Sequence, residues 1–192
     1  MLMPVMGESP CCTGRMLHRP QPYDSDMSAT TETPRAYGPT MSSHTYATHL
    51  RWDGSTAAGI RSYSRDHVAI APPLPTPVAL SADPAFRGNP ERLNPEQLVV
   101  MAASSCQMLS FLGVVARAGI NVRAYEDEAT SHLDLTARPT RLGVIHLAVT
   151  VRVSAGTDAA MVQELAEQAH RECYIANSLS VPVEVTTTVV TA

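Results

Sequence analysis

Hydrophobic and polar positions fall into order along this chain only from His44 onward. Residues 1–42 are rich in Pro, Ser, Thr and Met and hold no stretch of period 2 or 3.6 long enough to bury a face. That pattern predicts a disordered N-terminal extension followed by one domain over 43–192. HTYATHLRW alternates like a strand, Asp53-Gly54 offers a turn, and GIRSYSRDHVAIA reads as the returning strand of a hairpin. A proline-rich loop follows at 72–77. Proline recurs too often through VALSADPAFRGNPERL for a regular helix.

Asn94-Pro95-Glu96 then has the signature of a helix start: an N-cap side chain, proline at the first helical position, and an acid in the first turn. The run QLVVMAASSCQMLSFLGVVA, residues 97–116, carries no formal charge. Its length would span a bilayer, but Gln97, Ser104, Ser105, Gln107 and Ser110 dilute it, and no basic flank or second span supports insertion. It is expected to be a helix buried in a protein core. A helix apolar on nearly every face needs cover all round, and a second protomer would supply it. Gly119 ends the helix. Two strand-like runs follow, NVRAYEDEATSHLDLTA and RLGVIHLAVTVRVS, joined around Pro139. After Gly156-Thr157-Asp158 a second helix is expected to bury Met161, Leu165, Ala169 and Cys173 on one stripe, and VEVTTTVV closes the chain as a strand.

Composition narrows the function. The chain of 192 residues is 44% apolar and 17% charged, with net charge −4 and 14 scattered Lys and Arg, which argues against nucleic acid or an anionic membrane as partner. Four cysteines, Cys11, Cys12, Cys106 and Cys173, are too few for a disulfide-stapled secreted domain and form no C-x-x-C pair. No apolar leader opens the chain, so a cytoplasmic setting is expected. Phosphate-loop, dinucleotide-binding and serine-hydrolase motifs are absent from the sequence.

Cys106 lies inside the uncharged helix and Cys173 at the end of the second helical stripe, so the two sulfurs meet if the helices pack. A cysteine attacks as a thiolate, and a free cysteine ionises near pH 8.5, so a reactive Cys106 requires a nearby cation. Arg61, Arg65, Arg87 and Arg92 all precede the helix, and Glu96 could orient one of them. Ten residues of straight helix, however, separate Glu96 from Cys106 by about 15 Å. Either the helix bends between them, or Glu96 serves a site shared across a dimer interface. His170 and Cys173 form H-x-x-C, which with Cys106 or His132 is a weak zinc signal; no metal is expected.

Asn94-Pro95-Glu96-Gln97-Leu98, then Ala102-Ala103-Ser104-Ser105-Cys106, then His170-Arg171-Glu172-Cys173, resembles the OsmC/Ohr family of osmotically inducible and organic hydroperoxide resistance proteins. The likeness runs from about residue 44 to 190. Ser81-Ala82-Asp83-Pro84-Ala85-Phe86-Arg87-Gly88 and Ile175-Ala176-Asn177-Ser178 resemble one branch of it. The resemblance implies an α+β fold, an intertwined homodimer with long central helices packed against antiparallel β-sheets and active sites at the interface. It implies Cys106 as the peroxidatic cysteine, Cys173 as the resolving cysteine, and Glu96 as the carboxylate that positions an arginine. By one branch that arginine is Arg61 or Arg65; by another it is Arg87, which is slightly favoured. The implied activity is reduction of organic hydroperoxides to alcohols with no bound cofactor, recycled by an external dithiol of dihydrolipoyl type. Met101, Met108, Leu109 and Phe111 could favour organic peroxides, or be plain core. Ser104-Ser105, Gln107-Met108 and Cys173-Tyr174 depart from the usual surroundings of the two cysteines. The alternative function is a non-catalytic redox sensor or hydrophobic-ligand binder on the same fold.

Overall fold

The computed structural model describes residues 43–191; the extension expected over 1–42, with Cys11 and Cys12, lies outside them. From Thr45 the chain packs as one unit. Its first part is a small antiparallel sheet of β1 (His49–Arg51), β2 (His67–Ile70) and β3 (Val78–Leu80), with Leu50 opposite Ala69 and Val68 opposite Ala79. The hairpin is real, but its connection is long and not a tight turn at Asp53-Gly54. It is tied by the Trp52 indole N–H donating to the Ser64 carbonyl at 2.8 Å and by the edge-on contact of Trp52 with Tyr63.

The segment after β3 contains a short 3-10 helix, Pro84–Phe86, capped by the Asp83 carboxylate. Gly88 is required beside it: a Cβ there would lie 1.5 Å from the Ala82 carbonyl oxygen. Helix α1, Pro95–Arg117, follows. Asn94 Oδ1 accepts the Gln97 N–H at 2.8 Å while Gln97 Oε1 accepts the Asn94 N–H at 3.0 Å, so two otherwise orphaned donors are satisfied reciprocally. Glu96 in the first turn and Arg117 in the last complement the helix dipole. Gly119 follows at φ 73°, where a side chain would be strained.

The main sheet has the order β4 (Val122–Thr130), β7 (Ile145–Val153), β8 (Val183–Thr191), with β5 (Leu133–Asp134) and β6 (Arg141–Leu142) forming a small hairpin between β4 and β7. Strand β7 alternates without exception: Ile145, Leu147, Val149, Val151 and Val153 are buried and the residues between them are exposed. The pairing β4–β7 is antiparallel. The pairing β7–β8 is parallel, a departure from the all-antiparallel expectation, because helices α2 (Ala159–Glu172) and α3 (Tyr174–Ser178) cross over between the two strands.

Helix α2 buries Val162, Ala166 and Ala169. The stripe expected through Met161 is therefore one position off at its start, and Met161 is exposed; Asp158 caps the helix and sets its rotation. The core is one apolar layer in which the Ala103, Phe111, Val114 and Val115 face of α1 meets the inner faces of the main sheet and α2. The opposite flank of α1 is open: Met101 is 53% exposed and Leu109 62%, with Leu98, Ala102, Ser105 and Ala116 along the same side. Helix α1 is long and apolar enough to cross a membrane, but its inner face is spent on this core.

Candidate active site

Cys106 sits in the middle of α1, partly exposed, in a surface cavity of roughly 490 Å³. Ala102, Leu109 and Ile175 give that cavity apolar walls, Tyr174 stands at its edge, and Arg117 and Glu172 pair at 3.1 Å at its far end. The sulfur accepts the backbone N–H of Ile175 at 3.4 Å. This contact exists because α2 ends at Glu172, and Cys173, two residues before Ile175, has an extended backbone (φ −70°, ψ 109°) that breaks the helix and starts α3.

Cys173 has no exposed surface and lies near enough to Cys106 for that sulfur to act on its thiol. Burial pushes its thiol up to about 11; the backbone N–H groups of Ala176 and Ile175 pull the other way, and the neighbouring Cys106 adds to the rise. Both cysteines are free thiols. One chain thus presents an accessible sulfur in contact with a buried, protonated one.

The arginine and carboxylate expected at the site are elsewhere in the same chain. Helix α1 runs unbroken from Pro95 to Arg117, so Glu96 stays about 15 Å along the axis from Cys106. Glu96 and Arg65 line a separate cavity of roughly 540 Å³ with Trp52, Tyr63, His67 and Phe86. There the Arg65 guanidinium lies 4.2 Å over the Tyr63 ring and donates to the carbonyls of Tyr63 and Ile60, which fix its direction. Arg87 is exposed, in a left-handed conformation at the end of the 3-10 helix, and does not line that cavity. The geometry groups Glu96 with Arg65 rather than with the favoured Arg87. Of the apolar candidates, Leu109 lines the Cys106 cavity, Met101 lines a third cavity, and Phe111 is core.

Sequence reasoning missed one polar cluster. Asp127 occupies an inward position of β4, between Tyr125 and Ala129, where the alternation calls for an apolar residue. Ser104 Oγ donates to both its carboxylate oxygens, at 2.8 and 2.9 Å, and the Tyr125 hydroxyl reaches it at 3.4 Å. Burial and the neighbouring Asp127 carboxylate raise the Tyr125 phenol, and Cys173 adds a smaller push in the same direction. Asp127 and Ser104 also line the third cavity, roughly 710 Å³, at the N-terminal half of α1. An acid at an inward strand position was the signal available.

Similar folds are found among solved structures. An OsmC-like protein of unknown function from Vibrio cholerae is 24% identical, with a TM-score of 0.68 over 76% of this chain and 100% of that one. An organic hydroperoxide resistance protein from Elizabethkingia anophelis is 18% identical, with a TM-score of 0.60 over 80% of this chain and 100% of that one. The organic hydroperoxide resistance protein OhrB of Bacillus subtilis is 16% identical, with a TM-score of 0.51 over 77% and 98%. No curated protein sequence matches the chain. The family model for OsmC-like proteins matches residues 88–188, from the approach to α1 through most of β8 and including both cysteines, which is more than half of the chain. With an α+β fold of the same kind, this chain belongs to the OsmC-like family.

Proposed function

We propose that this protein is a thiol-dependent peroxidase that reduces organic hydroperoxides to alcohols. The observation that carries the reading is the pairing of an accessible Cys106 with a buried Cys173 beside it. The Cys106 thiolate attacks the terminal oxygen of R-O-O-H, the O–O bond breaks, and the departing alkoxide takes up a proton to leave as alcohol. Cys106 is left as sulfenic acid. Its S–O bond is then broken by the Cys173 sulfur, giving a disulfide and water, and an external dithiol, of dihydrolipoyl type by family resemblance, restores both thiols. A reducing compartment such as the cytoplasm suits this cycle.

The working unit in this reading is a homodimer. A straight α1 keeps Arg65 and Glu96 away from Cys106 of their own chain, while the open apolar flank of α1 carries Cys106 at its border. A second copy on that flank would cover Met101 and Leu109 and bring its Arg65–Glu96 cavity to Cys106. The guanidinium would then hold the sulfur ionised and stabilise the alkoxide, with Glu96 fixing its direction. The test is stopped-flow consumption of cumene hydroperoxide and hydrogen peroxide by reduced protein, with thiols counted before and after. Loss of two thiols per chain and preference for the organic peroxide support the reading. Consumption of neither peroxide sinks it.

A further inference from the structure

The Asp127 cluster has no part in the chemistry above, yet it grips the turn of α1 that carries Cys106. Ser104 stands in the same turn of α1 as Cys106, and its hydroxyl is shared between the two Asp127 oxygens at 2.8 and 2.9 Å. A hydrogen bond to an ionised acceptor is about twice as strong as a neutral one. This bond therefore pins the rotation and height of the turn that carries the reactive sulfur. The second arm is Tyr125, whose hydroxyl lies 3.4 Å from Asp127 Oδ2 and whose ring packs on Phe111 at 5.8 Å between centroids. Gln107, the next polar residue on the inner face of α1, is 1% exposed with its Oε1 unpartnered among the described residues. Asp127 makes no ion pair among the described residues. An acid placed inward without a cation is costly unless its hydrogen bonds are used.

We infer that Asp127 is a positioning residue: steadied by Tyr125 and bonded to Ser104, it fixes the Cys106 turn, so that one carboxylate on β4 sets the geometry in which the Cys106 sulfur joins that of Cys173. The inference rests on the dithiol reading above for its catalytic consequence and on geometry alone for its effect on the sulfur pair. Closing the disulfide forms the S–S bond as the Cys106 S–O bond breaks and the oxygen leaves as water. The step needs the Cys173 sulfur in line, and a misplacement of about 1 Å costs up to about a hundredfold. Attack on peroxide, by contrast, does not use the Cys173 sulfur: beside Cys106 and the Arg65–Glu96 pair it needs only a freely diffusing peroxide, whose oxygen adjusts to such a shift.

The experiment separates the two steps in Asp127→Ala, Asp127→Asn, Ser104→Ala and Tyr125→Phe. Rapid quench with a carbon nucleophile that traps sulfenic acid reads the first step, and non-reducing mass analysis reads disulfide closure. Equilibration with glutathione redox buffers, which needs no peroxide, reads the effective concentration of one thiol at the other. In Asp127→Ala closure is expected to slow about tenfold or more, and the effective concentration to fall by a similar factor, while sulfenic acid forms at a rate within about twofold of wild type. Asp127→Asn, which still accepts from Ser104, should recover most of the loss. Ser104→Ala and Tyr125→Phe each remove one arm and should show the same split, smaller in size; they decide the matter if Asp127→Ala does not fold. Wild-type closure and wild-type glutathione equilibrium in these variants would overturn the inference, as would an equal loss of both steps. If the wild-type protein forms no sulfenic acid, the peroxidase reading fails, and the glutathione equilibrium alone decides on the role of Asp127.

Discussion

The backbone N–H of Ile175 lies 3.4 Å from the Cys106 sulfur, two residues past the point where Cys173 breaks α2. The same break that exposes this donor buries the Cys173 thiol, so the two cysteines receive opposite environments from one kink in the chain. Accessibility goes to Cys106 and a raised thiol pKa to Cys173. In the proposed cycle the accessible Cys106 meets the peroxide, and Cys173 waits as a thiol until sulfenic acid forms beside it.

Substitution should therefore separate the two. Cys106→Ser is expected to abolish peroxide consumption. Cys173→Ser should still react once per chain and accumulate sulfenic acid, trappable by a carbon nucleophile and visible by mass. Equal activity in both variants would mean that the sulfurs are packing groups only.

Sharing of the site between copies predicts complementation. Cys106→Ser and Glu96→Gln chains, each inactive alone, should on mixing and subunit exchange regain about a quarter of wild-type activity, because half the dimers are mixed and one of their two sites is complete. Arg65→Ala should behave like Glu96→Gln, and Arg87→Ala should stay near wild type. If each site were built within one chain, no mixture would recover activity.

The raised Cys173 thiol makes stability depend on alkaline pH. A thiol that ionises near 9 when unfolded and near 11 when folded holds its proton more tightly in the native state. Its contribution is present below pH 9 and is lost as the pH rises toward 11. Thermal melts of the reduced protein should fall across that window, and less steeply in Cys173→Ala.

Asn94→Ala removes the capping box at the start of α1 and should cost about 1 kcal/mol in chemical denaturation. Gln97→Ala removes one of the two reciprocal bonds and should cost less.

Local chemistry explains what was legible in the sequence. Asn94-Pro95-Glu96 announces α1 because capping is decided within four residues, and the alternation of β7 announces itself over nine. The expected stripe on α2 holds at Ala169 and Cys173 but is one position off at its start, where Val162 and not Met161 is buried, because a helix of 14 residues does not fix its own rotation. Helix α3, five residues long, is too short to carry a period, and the parallel pairing of β8 depends on where the crossover lands. The contact of Cys106 with Cys173 was foreseeable from two cysteines on buried helical faces. The link from Ser104 to Asp127 was not, since 23 residues separate the partners and only folding brings them together. Glu96 was legible as a residue apart from Cys106, since helical rise alone sets their separation.

The most direct test of the central claim is peptide mapping by mass spectrometry of fully reduced protein given one equivalent of cumene hydroperoxide per chain. The account predicts a single new linkage, Cys106 to Cys173 within one chain, formed with one equivalent of alcohol and reversed by a dithiol. Recovery of both cysteines as free thiols with the peroxide intact would contradict it.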